Sequence, residues 1–322
     1  MTIKVGLVGT GGFSHKHAEI LSKMDDVEIT AINGTSQEKA DLMAKQFGAK
    51  GYGKLDEMLD DNKLDAVYIC VPPMSHGDIE TKIVERQIPF FVEKPLGVDE
   101  RTIKRIENDV QKNKLITSVG YHFRYSDTVN QLKGLCDQQQ LGMALGYWMG
   151  SLPPVSWWKN QELSGGQMNE QTTHIVDLFR YLFGEVNEVY GVYENKVLSK
   201  KDTTITVPDV GTITMKFSNG LVANISNTCI LPSGIGQVGL NLYSDEALIQ
   251  WNPKQMEIQS SHGKQTVLND LDPYIRENQL FIEAVKTGDS SQIKSPYEDA
   301  YKTFKVTDLA NKSAAEGIPF KI

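Results

Sequence analysis

An acid, an amine and a proline stand together at Glu93-Lys94-Pro95, directly after the apolar run Pro89-Phe90-Phe91-Val92. The run reads as a short buried strand. In an open parallel sheet, ligands bind at the carboxyl ends of the strands. Pro95 also gives the Lys94–Pro95 bond access to the cis form, which other residues resist. The same triplet suits a surface ion pair followed by a turn. A second group is Glu170, His174 and Asp177, spaced i, i+4, i+7 and so on one face of a helix. Two carboxylates around an imidazole can poise it as a general base near neutral pH. A row of salt bridges along an exposed helix has that spacing too.

The elements that must position these groups can be read in order. Ile3–Val8 ends in Gly9-Thr10-Gly11-Gly12-Phe13-Ser14, and a helical pattern follows with Ala18, Ile20, Leu21 and Met24 on one face. Strand, glycine turn and helix in that order make a dinucleotide fingerprint. Gly9 permits the tight turn, and Gly11 lets the backbone approach a pyrophosphate seated on the helix N-terminus. Ser14, at the third glycine position, is still small. The second strand, Val27–Ile32, runs into Asn33-Gly34-Thr35-Ser36 with Lys39 on the next helix. No carboxylate waits there for a ribose 2′-hydroxyl. The hydroxyls of Thr35 and Ser36 with Lys39 suit a 2′-phosphate, so NADP(H) is expected over NAD(H). The strand Ala66–Val71 is stopped by Pro72-Pro73, with Met74, Ser75 and His76 following. His76 is either a cofactor contact or a helix-start residue with no such task. The last strand of this unit, Leu115–Gly120, ends in Tyr121-His122-Phe123-Arg124-Tyr125. Five strands thus end in polar or glycine loops along one sheet edge.

The second half changes character. Pro153-Pro154-Val155-Ser156-Trp157-Trp158 is an irregular aromatic loop, in which one tryptophan faces a ligand or a subunit or both fill core gaps. Gly165-Gly166 opens the helix that carries Glu170, His174 and Asp177 and stops at Gly184. From Val186 the pattern is antiparallel, with hairpins at Ser218-Asn219-Gly220, Ser244-Asp245-Glu246 and His262-Gly263. Helices return at Tyr274–Thr287 and Tyr297–Glu316, with a final strand within Ile318–Ile322.

Composition sets the bounds. The chain has 322 residues, 40% hydrophobic and 23% charged, enough for two globular domains. A net charge of −8 argues against nucleic-acid or anionic-membrane partners. Cys70, Cys136 and Cys229 form neither a disulfide framework nor a metal clip. With no signal peptide and no bilayer-length apolar stretch, a cytoplasmic protein is expected. His15 and His17 stand close together, yet no carboxylate–histidine set has ligand spacing, so no metal is expected.

Together, Gly9–Ser14, Pro72-Pro73 with His76, Glu93-Lys94-Pro95, Tyr121–Tyr125, and Gly165-Gly166 through His174 and Asp177 resemble the Gfo/Idh/MocA oxidoreductases over essentially the whole chain. The resemblance implies an α/β protein: a doubly wound parallel Rossmann domain (1–121) and an α/β domain with a large, open, mostly antiparallel sheet (122–322), whose C-terminal helix can pack back on the first domain. It implies hydride transfer between a nicotinamide and a sugar, cyclitol or related polyol, in homodimers or homotetramers built through that sheet. By position, Lys94 matches the family's active-site lysine and His174 its catalytic histidine. Glu170 falls where many members have Asp, which makes its catalytic role a direct or an orienting one. Gly9, Thr10, Gly11, Gly12, Phe13, Asn33, Gly34, Thr35, Ser36, Lys39, Val71, Pro72, Pro73, His76, Glu93, Lys94 and His122 would border the cofactor. Tyr121, Arg124, Trp157, Trp158 and Asp177 would meet the substrate. Two other readings use the same fold: a dinucleotide-dependent sensor without catalysis, and a dehydrogenase of aromatic dihydrodiols.

Overall fold

The structure, a computed structural model, describes residues 2–322. It divides into two compact units, one of residues 2–122 with Pro273–Tyr301, the other of Phe123–Asp272 with Lys302–Ile322.

The first unit alternates strand and helix: β1 (Ile3–Val8), α1 (Gly12–Leu21), β2 (Val27–Asn33), α2 (Gln37–Phe47), β3 (Lys50–Tyr52), α3 (Leu55–Asp61), β4 (Ala66–Ile69), α4 (Asp78–Glu85), β5 (Phe90–Val92), α5 (Glu100–Asn113) and β6 (Thr117–Val119). The six strands are parallel in the order β3-β2-β1-β4-β5-β6, the doubly wound arrangement of dinucleotide-binding folds. β4 and β5 are buried along their whole length, as parallel strands covered on both faces must be. α2 starts at Ser36, whose hydroxyl accepts the Lys39 N–H, and stops at left-handed Gly48.

The second unit runs α6 (Asp127–Gln138), β7 (Leu141–Met149), α7 (Gln161–Ser164), α8 (Thr173–Phe183), β8 (Val186–Glu194), β9 (Val210–Phe217), β10 (Val222–Thr228), β11 (Gln237–Ser244), β12 (Ala247–Asn252), β13 (Gln255–Ser260) and β14 (Gly263–Leu268). Then come α9 (Pro273–Thr287), which counts with the first unit, α10 (Tyr297–Glu316) and β15 (Phe320–Lys321). The nine-stranded sheet has the order β14-β13-β12-β11-β7-β10-β9-β8-β15 and is antiparallel except between β7 and β10. α8 lies close on its inner face. A Cβ at Gly146 of β7 would stand 2.6 Å from Ile175, so only glycine admits the helix there. The outer face leaves Met143, Tyr190, Val192, Val222 and Tyr243 each 39–48% exposed.

Two features go beyond the sequence reading. The boundary expected at 121/122 allowed a C-terminal helix to pack back on the first domain; the first unit extends to His122 and takes in Pro273–Tyr301, and with it α9. Phe281, Ile282 and Ala284 of α9 share one core with Leu7, Ala18, Leu21, Tyr68 and Phe91. The sequence reading also assigned no strand to Leu141–Met149, the strand in the middle of the large sheet.

Candidate functional site: a glycine-turn cavity, a lysine turn and a buried histidine

The turn after β1 is set by steric necessity. Gly9 has φ +110°, and a Cβ there would lie 2.2 Å from the Cys70 carbonyl oxygen. Ser14, fully buried, donates its hydroxyl to the Gly9 carbonyl at 2.7 Å, so the third position pins the turn from below. Gly11 is the N-cap of α1, with no side-chain cap and no acidic residue in the first turn. Side chains at Gly11 or Gly12 would meet nothing within 4 Å. Open backbone amides at a helix N-terminus beside empty space suit a pyrophosphate. A cavity of about 570 Å³ opens here, bordered by Gly9, Thr10, Gly11, Asn33, Gly34, Thr35, Lys39, Val71, Pro72 and Ser75. The residues present therefore fit a dinucleotide.

At the end of β2, Asn33 is buried and its amide donates to the Tyr52 carbonyl at 3.0 Å. Thr35 and Lys39 stand exposed on the cavity wall, with the Lys39 Nζ 3.4 Å from the Thr35 hydroxyl. Other expected cofactor residues lie off this wall. Ser36 caps α2. Phe13 is 47% exposed, its ring 6.4 Å from that of Tyr274. Gly12 and Pro73 do not border the cavity, and neither does His76. The His76 Nδ1 instead meets the Glu80 carboxylate at 2.5 Å, and Glu80 also takes the Gly77 N–H at 2.6 Å. Glu80, which no sequence pattern singled out, thus fixes the loop after β4.

The Lys94–Pro95 bond is cis. Glu93 turns inward, 4% exposed, and its carboxylate meets the His17 Nε2 at 2.9 Å. The His17 Nδ1 in turn meets the Asn278 side chain. His17, Glu93 and Glu277 offer ligand atoms within 4.8 Å of one another, a cluster gathered from distant segments that spacing along the chain conceals. His122 is buried and stacks on Tyr274, centroids 4.0 Å apart. Burial pushes its pKa down to about 3, and the ammonium groups of Lys16 and Lys94 push the same way. Lys16 also sits 3.0 Å over the Tyr274 ring. Tyr121, expected to offer a face to the substrate, is 1% exposed.

In the second unit, the helix expected to carry Glu170, His174 and Asp177 on one continuous face is interrupted. Met168–Thr172 is a π-helical turn, and regular α-helix begins only at Thr173. The spacing argument assumed regular α-helical steps throughout, and the backbone departs from them at Glu170. Glu170 accepts the Trp158 indole N–H at 2.8 Å. Trp158 is 1% exposed and packs with Ile205, Val207 and Cys229, so its ring is core; Trp157 is partly buried against the same cluster. His174 is 5% exposed, stacked on Trp148 at 5.7 Å and tilted against Phe123 at 5.3 Å. Asp177 binds the Arg124 guanidinium through both oxygens, at 2.7 and 2.6 Å, and accepts the Thr303 hydroxyl at 2.9 Å. Arg124 and Asp177, expected at the substrate, form a buried pair with each other.

Comparison with known proteins agrees with this architecture. Residues 3–121 match an oxidoreductase family with an NAD-binding Rossmann fold. Residues 131–250 match the GFO/IDH/MocA C-terminal domain. The chain belongs to the GFO/IDH/MocA oxidoreductase family. It is 24% identical to the myo-inositol 2-dehydrogenase of Thermotoga maritima, over 98% of this chain and 97% of that protein. It is 24% identical to the glucose-6-phosphate 3-dehydrogenase of Bacillus subtilis, over 72% of this chain and 70% of that protein. Levoglucosan dehydrogenase in complex with NADH and levoglucosan shares the fold, with a TM-score of 0.91, 20% identity and full coverage of both chains. No helix among the described residues is long and apolar enough to cross a membrane.

Two measurements check this geometry. Removing one partner of a buried charge pair strands the other, at a cost of about 3–5 kcal/mol. Asp177→Ala should lose that much stability in urea unfolding; a loss below about 1 kcal/mol would show that the pair anchors nothing. His122 titrates lower folded (about 3) than at its ordinary 6.5, so the unfolded chain takes up a proton that the folded one refuses. Its contribution is intact above 6.5 and is lost as pH falls toward 3. His122→Phe should flatten the dependence of stability on pH across that interval by about 1.4 kcal/mol per pH unit. An unchanged slope would contradict the assignment.

Proposed function

We propose that the protein is an NAD(P)-dependent dehydrogenase of a sugar, cyclitol or related polyol, with His174 as its acid–base group and Lys94 polarising the reacting oxygen. The observation that carries this reading is the glycine-turn cavity, whose open α1 terminus suits a pyrophosphate, in the unit that also bears Glu93-Lys94-Pro95. The relatives' names add the substrate class: inositol in one case and glucose 6-phosphate in the other.

A nicotinamide dinucleotide held by Gly9, Thr10, Gly11, Thr35 and Lys39 would supply the hydride acceptor for oxidation of the substrate's C–H(OH) carbon. The hydroxyl proton passes to His174, and the C–O bond becomes a carbonyl. The ammonium of Lys94 donates to the same oxygen and stabilises the negative charge that gathers on it. Glu170, fixed by Trp158, acts as an orienting group.

Thr35 and Lys39 on the cavity wall, with no acid at the end of β2, favour NADP(H) over NAD(H). The free cysteines Cys70, Cys136 and Cys229 suit a cytoplasmic location. The apolar outer face of the large sheet suits self-association. Val222 and Met143 are cross-strand neighbours there, each 42% exposed.

Following nicotinamide absorbance with a panel of sugars and polyols tests the central claim. Lys94→Ala and His174→Ala should each lower kcat by about two orders of magnitude or more while cofactor still binds. NADPH should bind more tightly than NADH, and Lys39→Ala should erase the difference. Wild-type turnover in either variant refutes the assigned roles. Absence of turnover on every polyol, with cofactor bound, favours a sensor. For assembly, Val222→Lys should reduce the mass measured by light scattering to that of one chain; an unchanged mass rules this face out.

A further inference from the structure

We propose that His17 is a positioning residue which, through Glu93, sets the place of Lys94; the inference rests on the reading of Lys94 given above. β5 is buried throughout, and successive side chains of an extended chain point to opposite sides. Glu93 therefore turns inward while Lys94 stays half-buried. The Glu93 carboxylate is enclosed. Its oxygen would lie 2.8 Å from any Cβ at Gly120, the residue after β6, so glycine there makes room for it. Its backbone N–H is fixed by the Ile69 carbonyl at 2.9 Å. Its side chain meets the His17 Nε2 at 2.9 Å.

His17 is itself held. Its ring packs 4.8 Å from Phe91 and 5.5 Å from Tyr68. The Asn278 Nδ2 lies 3.0 Å from the His17 Nδ1 and 2.7 Å from the Tyr274 carbonyl, and so can donate one proton to each. The Glu93 carboxylate can only accept, so its hydrogen bond with His17 is donated by the His17 Nε2–H. A buried polar chain of this kind contributes little net stability compared with apolar side chains of the same shape. What it supplies is a fixed geometry. One end is on α1, whose N-terminus forms the glycine turn; the other is the residue bonded to Lys94. Through it, a lysine at the end of β5 is referenced to the turn at the end of β1.

The test compares His17→Ala, Glu93→Ala, Glu93→Gln and Lys94→Ala in the full chain. Without cofactor, brief treatment with acetic anhydride followed by peptide mass spectrometry reads the reactivity of each lysine. Released from Glu93, Lys94 should acetylate at least threefold faster in His17→Ala and Glu93→Ala, with Lys39 unchanged. Both variants should keep cofactor affinity within about threefold and lose about tenfold in kcat. Glu93→Gln, whose amide oxygen still accepts the His17 proton, should recover most of it, and the double alanine variant should be no worse than either single one. If His17→Ala fails to fold, Glu93→Ala and Glu93→Gln carry the comparison. Wild-type acetylation and kcat in His17→Ala and Glu93→Ala, with Lys94→Ala inactive, would overturn the positioning role alone. Wild-type turnover in Lys94→Ala would overturn the reading of Lys94 and this inference with it.

Discussion

The first unit depends on a steric constraint at one α-carbon. β1 lies between β2 and β4, so the chain leaving it must pass the carbonyl that ends β4. At Gly9 the gap is too small for any Cβ. Because Gly9 can take φ +110°, the chain reverses at once into α1. The N-terminus of that helix is then left without a side-chain cap beside open space. α2 and α5 begin conventionally, with Ser36 and Asp99 accepting backbone N–H groups. Amides that a capping side chain would have satisfied remain available to a ligand. The fold forgoes one cap at the place where an anion can take over its role.

The second unit meets the opposite demand, that of holding a histidine still in a water-poor environment. Aromatic contacts with Trp148 and Phe123 fix the plane of the His174 ring. Three residues further along α8, Asp177 is tied to Arg124 and to Thr303, while the Arg180 guanidinium reaches both Thr303 and Glu185. These bonds join α8 to the segment before α6 and to α10, so the helix can neither slide nor rotate without breaking buried charge contacts. Arg124 and Asp177 thus fix the helix that carries His174.

What was legible in the sequence was whatever leaves a local trace. The glycine turn, the hairpins at Gly220 and Gly263, and the apolar strands β4 and β5 each specify their conformation within a few residues. β7 was hidden because Gly142 and Gly146 weaken its alternation, and Gly146 is there to admit α8, which only the fold reveals. The return of a C-terminal helix to the first domain was allowed for, but the core residues that α9 meets there were not legible. Its apolar face declares that it is buried and leaves the partner unnamed. Among the candidate residues, Lys94 and His174 stood out, but the contacts around each within its own unit did not. His17 meets Glu93 across 76 residues of sequence and Asn278 across 261, and no periodicity encodes such pairs.

The case of Glu170 shows what spacing alone leaves out. Spacing i, i+4 from a histidine assumes that every intervening residue turns by the α-helical step, and it does not say what the side chain meets. The π-helical turn at Met168–Thr172 inserts extra backbone just there, and such turns recur at functional sites because they re-aim a side chain without ending the helix. Here the redirected carboxylate finds the indole N–H of Trp158, a ring otherwise sealed in an apolar cluster. Trp158 has one polar atom to satisfy, and Glu170 satisfies it. The position of a charged group in the candidate site is thereby determined by packing in a loop far from any recognisable motif.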